Sequence, residues 1–284
     1  MKSDRMGAPL KGTRIVTLAV NVPGPVAAAA LRDLGASVVK VEPPGGDPLA
    51  GINPDWYADL TSGIQAQVLD LKTDADHVTL EELLASADLL LTSIRPSALE
   101  RLGLGWPDLH ASYPRLCQVA IVGYRSPRQN VAGHDLTYQA EMGLVVPPAL
   151  PRTLVADLGG AQRAVIAALA LLMARERSGE GAYVEVSLND AARFFAEPLE
   201  RGLTSERGAL GGQLPAYGLY RTRDGWLALA ALEPHFCETL ERELALDPRD
   251  RDALARAFAE RSGAEWEAWA EARDLPIVAL GRRP

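Results

Sequence analysis

Between Arg14 and Val41 the chain passes from a β-branched stretch (RIVTLAV, 14–20) through an alanine-rich segment to a second β-branched stretch (SVVKV, 37–41). Strand, short helix and strand at this spacing predict a βαβ unit. Parallel strands need a crossover of about a dozen residues or more, usually helical. The crossover is expected to hold a turn at Pro23-Gly24-Pro25 and a helix over about Val26–Leu34, closed by Gly35 as its C′ residue. Further strands are expected at Gln67–Leu71, Asp88–Thr92 and Leu116–Val122, with a helical run at Leu80–Ser86.

The second half opens with a long helix expected from Leu158 to about Arg177 and ended by Ser178-Gly179, followed by an alternating strand at Tyr183–Leu188. Residues 202–212 read as loop, with four glycines in eleven residues. Asp224-Gly225 signals a hairpin between Tyr217–Arg221 and Trp226–Ala231. Helices are then expected at Phe236–Leu244 and Arg251–Ala272. The pattern predicts an α/β fold: a Rossmann-like parallel-sheet large domain over residues 1–200 and a smaller α+β C-terminal domain over 201–284. The first turn offers Gly24 alone and no G-x-G-x-x-G, which argues against NAD as a cofactor.

Charge and cysteine usage exclude several classes. A net charge of -8 disfavours a nucleic-acid partner, whose main attraction is to phosphate. Cys117 and Cys237 are far apart and lack metal-ligand spacing, so reduced thiols, no metal and a cytoplasmic setting are expected. Met1–Lys11 has no apolar signal core. The most apolar stretch, Ala164–Ala174, is too short to span a bilayer and is flanked by arginine on both sides, so no membrane partner is expected.

Acid-base residues collect beside glycine or proline at three places: Gly133-His134-Asp135, Asp157-Leu158-Gly159-Gly160 and Glu233-Pro234-His235. Each has a plain structural explanation. Asp157 is read equally well as a helix N-cap, His134 as a turn histidine, and Glu233 as a solvated turn carboxylate. The functional reading joins them. An aspartate at a helix start sits beside free N–H groups and the positive dipole end, where developing negative charge is stabilised. Gly159 and Gly160 would let a substrate carbonyl approach the backbone. A histidine supplies a base near neutrality. An acid and a base facing across an enolisable carbon would exchange its proton.

The segments Leu10–Asp47, Leu69-Asp70-Leu71-Lys72, Ile94-Arg95-Pro96, Leu99–Gly105 and Asp157 through Ser187 resemble the class III CoA-transferase superfamily (the CaiB/BaiF type), from about residue 8 to 280. Gly133-His134-Asp135 and Leu232-Glu233-Pro234 resemble its α-methylacyl-CoA racemase branch. The resemblance implies an enzyme acting on an acyl-CoA thioester, with coenzyme A as part of the substrate. It implies His134 and Asp157 as the two bases that exchange the α-proton of a 2-methylacyl-CoA. Glu233 would orient the histidine, Asp135 would support it, and helix-start N–H groups would hold the enolate oxygen. Lys72, Arg95 and Arg101 would meet the CoA phosphates and ribose, with Leu69 and Ser93 near the adenine. Family chains pair as interlocked homodimers.

Several stretches depart from the family pattern. Ser62–Gln67 lacks its usual Asn, Lys or Arg residues, and Tyr124-Arg125-Ser126-Pro127 replaces a Gly-Gln-Thr-Gly-Pro-like loop. The stretch between His134 and Asp157 is shortened. The sequence also stops soon after Leu275–Val278, where family members return to the large domain, so an open ring and a weaker dimer are expected. Two other readings stay open. In a CoA-transferase the residue at Asp157 attacks the thioester and passes through an aspartyl-CoA intermediate. A non-catalytic descendant would bind a thioester or a partner protein.

Overall fold

The computed structural model describes residues 7–281. Met1–Met6, the start of the segment read above as lacking a signal core, lie outside the described residues. The described residues form two compact units, which divide between Ala196 and Glu197, inside the helix over Leu188–Glu200.

The first unit contains β1 (Arg14–Thr17), α1 (Pro23–Asp33), β2 (Ser37–Glu42), α2 (Pro48–Ile52), α3 (Pro54–Thr61), β3 (Gln65–Val68) and α4 (Asp74–Ala85). There follow β4 (Leu89–Thr92), α5 (Pro96–Arg101), α6 (Trp106–Ser112), β5 (Cys117–Val122), α7 (Asp135–Glu141), α8 (Val155–Ser178), β6 (Tyr183–Ser187) and α9 (Leu188–Glu200). The six strands form one parallel sheet in the order β3-β2-β1-β4-β5-β6. That is the doubly wound order, with the chain reversing direction across the sheet between β1 and β4.

Side-chain alternation along the strands divides the core into two layers. Ile15, Leu89 and Leu91 point toward α1 and α8, joining Ala27, Ala28, Leu31, Ala161, Ala164 and Ala168. Val16 and Leu90 point to the other face, against Leu80 and Leu84 of α4 and Leu99 and Leu109. Alanine on both α1 and α8 lets those helices approach closely while each covers the sheet.

Helix α1 starts three residues earlier than expected. Pro23 and Pro25 form its first turn, because missing N–H groups cost nothing there. Gly24 is required by close approach, since a Cβ would lie 2.6 Å from the Ala19 carbonyl carbon. Gly35 takes the expected C′ position at φ +102°.

Helix α8 is longer than its apolar middle implied. At 24 residues it passes the length and composition test for a membrane span, contrary to the expectation from Ala164–Ala174. Its buried face instead lies in the core against the sheet.

The second unit contains the hairpin β7 (Tyr217–Arg221) and β8 (Trp226–Ala230), then α10 (Pro234–Leu244), α11 (Arg251–Phe258), α12 (Gly263–Glu271) and β9 (Ile277–Ala279). The strands form an antiparallel sheet in the order β7-β8-β9. Its core holds Trp266, Phe258, Leu240 and Leu254, and the Trp266 indole N–H donates to Phe258 O at 2.9 Å. The single helix expected over Arg251–Ala272 is two helices. Ser262 breaks it by accepting from Glu265 N–H while the Glu265 carboxylate accepts from Ser262 N–H, a reciprocal cap.

Candidate active site

In a doubly wound sheet, ligands bind beyond the C-terminal strand ends where the strand order reverses. Here that point lies after β1 and β4. Val20, Asn21 and Pro23 follow β1, Ser93, Ile94 and Arg95 follow β4, and all six line a cavity of about 250 Å3. His134, Tyr138 and Asp157 line the same cavity. The structure therefore brings together the two residues singled out as acid and base.

Asp157 is the third residue of α8 and does not cap it. The cap comes from another element. Asp135, 5% exposed at the start of α7, accepts from Ala156 N–H at 2.7 Å and Asp157 N–H at 3.1 Å through one carboxylate oxygen. Its other oxygen accepts from the Gln139 amide, which also donates to Thr153 O at 3.0 Å. Half-buried Asp157 thus carries its carboxyl beside a second carboxylate. Burial, and then the Asp135 charge, push its pKa up from 3.8 to about 7. A carboxyl titrating there both gives and takes a proton at neutrality.

His134 is exposed and directly precedes α7. Its backbone N–H donates to the Thr137 hydroxyl at 3.0 Å, and that hydroxyl donates back to the His134 carbonyl at 2.7 Å. Gly133 makes room for buried Tyr138, because a Cβ there would lie 2.6 Å from the phenol oxygen. Burial lifts the Tyr138 hydroxyl to about 12, with the Tyr124 and Asp157 charges adding to the shift and Arg95 opposing it.

This geometry can be set beside known proteins. The profile of CoA-transferase family III matches residues 10–281. The chain belongs to CoA-transferase family III. It is 31% identical to the succinyl-CoA–D-citramalate CoA-transferase of Chloroflexus aurantiacus, over 90% of this chain and 71% of that one. It is equally 31% identical to the alpha-methylacyl-CoA racemase of Homo sapiens, over 90% and 74%. A crystal structure of a hypothetical protein from Mycobacterium tuberculosis superposes with a TM-score of 0.85 at 26% identity, over 97% of this chain and 84% of that one.

Within this family III chain the candidate CoA residues divide between two cavities. Leu69 and Lys72 line a second, largely apolar cavity of about 420 Å3, which Val20 and Ile94 share with the first. Ser93 and Arg95 lie on the first. The Ser93 hydroxyl is engaged by Val20, accepting from its N–H at 2.9 Å and donating to its carbonyl at 3.3 Å. Arg101 lies exposed at the end of α5, lines neither cavity and makes no ion pair among the described residues. Glu233 lies in the second unit, exposed, immediately before α10. No group of three or more His, Cys, Asp or Glu residues with metal-binding geometry occurs among the described residues.

Two expectations for the Asp157 helix are corrected. Three of its first N–H groups are not free for an enolate oxygen, because Asp135 takes those of Ala156 and Asp157 and Leu154 O takes that of Leu158. Gly159 and Gly160 do not open a path for substrate either. A Cβ at Gly159 would overlap the Phe195 ring and one at Gly160 the Leu188 side chain, so both glycines serve the packing of α8 on α9.

Sequence reading missed Asn21, Tyr138 and Gln129 on the cavity wall. Tyr138 carried a signal, lying one helical turn after His134. Asn21 and Gln129, in loops without periodicity, carried none.

The Asp135 cap yields a test. Asp135→Ala should lower stability by about 1–3 kcal/mol, since it removes a cap and strands buried N–H groups. Asp135→Asn keeps an acceptor but removes the charge, so the Asp157 midpoint should move down toward the ordinary carboxylate range. Urea unfolding and carbon-13 NMR of the Asp157 carboxyl read the two effects.

Proposed function

We propose that this chain exchanges the α-proton of a 2-methylacyl-CoA thioester, with Asp157 and His134 as its two bases. The observation that carries this reading is a carboxyl held near pKa 7 in the same cavity as the exposed imidazole of His134. One group withdraws the α-proton, the C–H electron pair moves into the thioester as an enolate, and the other group returns a proton to that carbon. At neutral pH Asp157 is about half protonated, so it is competent in either direction.

In this proposal the apolar cavity at Leu69 and Lys72 takes part of coenzyme A, and the thioester crosses Val20 and Ile94 toward Asp157. Arg95 and Ser93 flank that crossing, and Arg101 supplies charge at a distance. The equal identity to a transferase supports the second reading, in which Asp157 becomes acylated.

One experiment separates them. In deuterated water the wild type should incorporate deuterium at the α-carbon of 2-methylbutanoyl-CoA, and His134→Ala and Asp157→Ala should each slow this by about 10²–10⁴-fold. If no deuterium enters and hydroxylamine captures an acyl group from Asp157, proton exchange is wrong and acyl transfer replaces it.

A further inference from the structure

Withdrawal of an α-proton leaves negative charge on the thioester oxygen, and a fixed donor at that oxygen is usually the largest electrostatic aid a site of this kind supplies. At the start of α8 the N–H groups of Ala156, Asp157 and Leu158 are already taken. On the cavity wall the Ser93 hydroxyl is paired with Val20, the Tyr138 hydroxyl is wedged between Gly123 and Gly133, and Arg95 is exposed. Asn21 differs from these. It is half-buried, lines the same cavity, and its carboxamide has no hydrogen-bond partner among the described residues. Its backbone is held at φ +65° by two hydrogen bonds: its own N–H donates to buried Asp47 at 2.9 Å, and the preceding Val20 N–H donates to Ser93 at 2.9 Å. Glycine adopts this conformation freely, so backbone shape alone does not call for a carboxamide here. Strain of this kind gathers at functional sites, where the surrounding structure holds a residue in place.

We infer that Asn21 is a catalytic residue whose carboxamide N–H donates to the thioester oxygen as that oxygen becomes negative. This rests on the acyl-CoA reading proposed above and supplies a donor that the taken N–H groups of α8 do not. As Asp157 or His134 takes the α-proton, the C–H electron pair moves into the bond between the α-carbon and the carbonyl carbon. The carbonyl π pair moves onto oxygen, where the Asn21 N–H meets it, and reprotonation at carbon reverses the shift. In acyl transfer the same oxygen gains charge when the Asp157 carboxylate adds to the carbonyl carbon. The assignment therefore holds for either reaction of the thioester.

The test is Asn21→Gly, which keeps the left-handed turn and its backbone hydrogen bonds, beside Asn21→Asp, which keeps the shape but offers only acceptors when ionised. With 2-methylbutanoyl-CoA in deuterated water at pH 8, each variant should lose about 10²–10³-fold in saturating exchange rate with little change in half-saturation, because the bond strengthens in the transition state. Asn21→Gly should unfold at a urea concentration close to that of the wild type. A full exchange rate in Asn21→Gly overturns the inference and leaves proton exchange in place, as does an effect confined to half-saturation. If Asn21→Gly does not fold, a full rate in Asn21→Asp overturns it equally. Acyl capture on Asp157 instead of exchange, slowed by both substitutions, leaves the inference standing and removes proton exchange. Neither reaction in the wild type overturns both.

Discussion

Asp157→Asn should make the protein more stable at pH 8 while sharply slowing the α-proton exchange proposed for it. Burial and the Asp135 charge raise the native pKa of Asp157 to about 7, from an ordinary 3.8 in the unfolded chain. Between those values the native state holds the proton more tightly, so its contribution to stability is fully present below about pH 4 and declines as pH rises through 7. Above pH 7 the ionised carboxylate is held in surroundings that oppose its charge. The rise from 3.8 to about 7 corresponds to an upper bound of roughly 4 kcal/mol, and solvent at the cavity mouth reduces it to about 2 kcal/mol. Asparagine keeps the shape without the charge. The gain over wild type should therefore be largest at pH 8 and vanish near pH 4, while exchange falls by about 10²–10⁴-fold. Urea titrations of both proteins at the two pH values read the first effect. A loss of stability that is equal at both would mean the carboxyl is not held against its charge. The predicted trade belongs to sites where function is maintained against stability.

What sequence pattern conveyed follows the range over which each signal acts. The β1–α1–β2 unit was legible because its information is local: β-branched runs, an alanine stretch and a glycine at the C′ position. Asp157 at the start of a helix was visible for the same reason. Its partner was not. Asp135 is 22 residues away, and no periodicity states that its carboxylate folds back onto the α8 N–H groups. The glycine pair was legible as close approach, but not what approaches. Space beside Gly159 and Gly160 belongs to Phe195 and Leu188, on a helix with no strong start signal that directly follows β6. The break in the expected 251–272 helix was present as Ser262-Gly263-Ala264-Glu265, a capping signature inside an otherwise helical run. Local polar chemistry overrode the apolar period there.

Asp47→Ala should cost about 3–5 kcal/mol, more than the loss of the Asp135 cap. Lys40 and Asp47 are both fully buried and pair at 2.9 Å, with Glu42 at 3.6 Å from the same ammonium. The pair grips one turn from both ends. Lys40 donates to Ala19 O at 3.1 Å, and Asp47 accepts from Asn21 N–H at 2.9 Å, with Ser93 holding Val20 between them. Asn21 is thereby kept at φ +65°, a left-handed conformation that non-glycine residues seldom adopt, on the wall of the cavity that Asp157 lines. Removing Asp47 strands a buried ammonium and frees two N–H groups, those of Asn21 and Leu49. Removing both charges should be gentler than removing one, because a buried ion pair contributes little over a neutral replacement. Lys40→Met with Asp47→Asn should thus cost less than the two single changes added together, by about 1–3 kcal/mol in a double-mutant cycle. Additive costs would show that Lys40 and Asp47 act independently. The turn over Ala19–Asn21 would then owe its conformation to Ser93 and to the packing of Gly24 against Ala19.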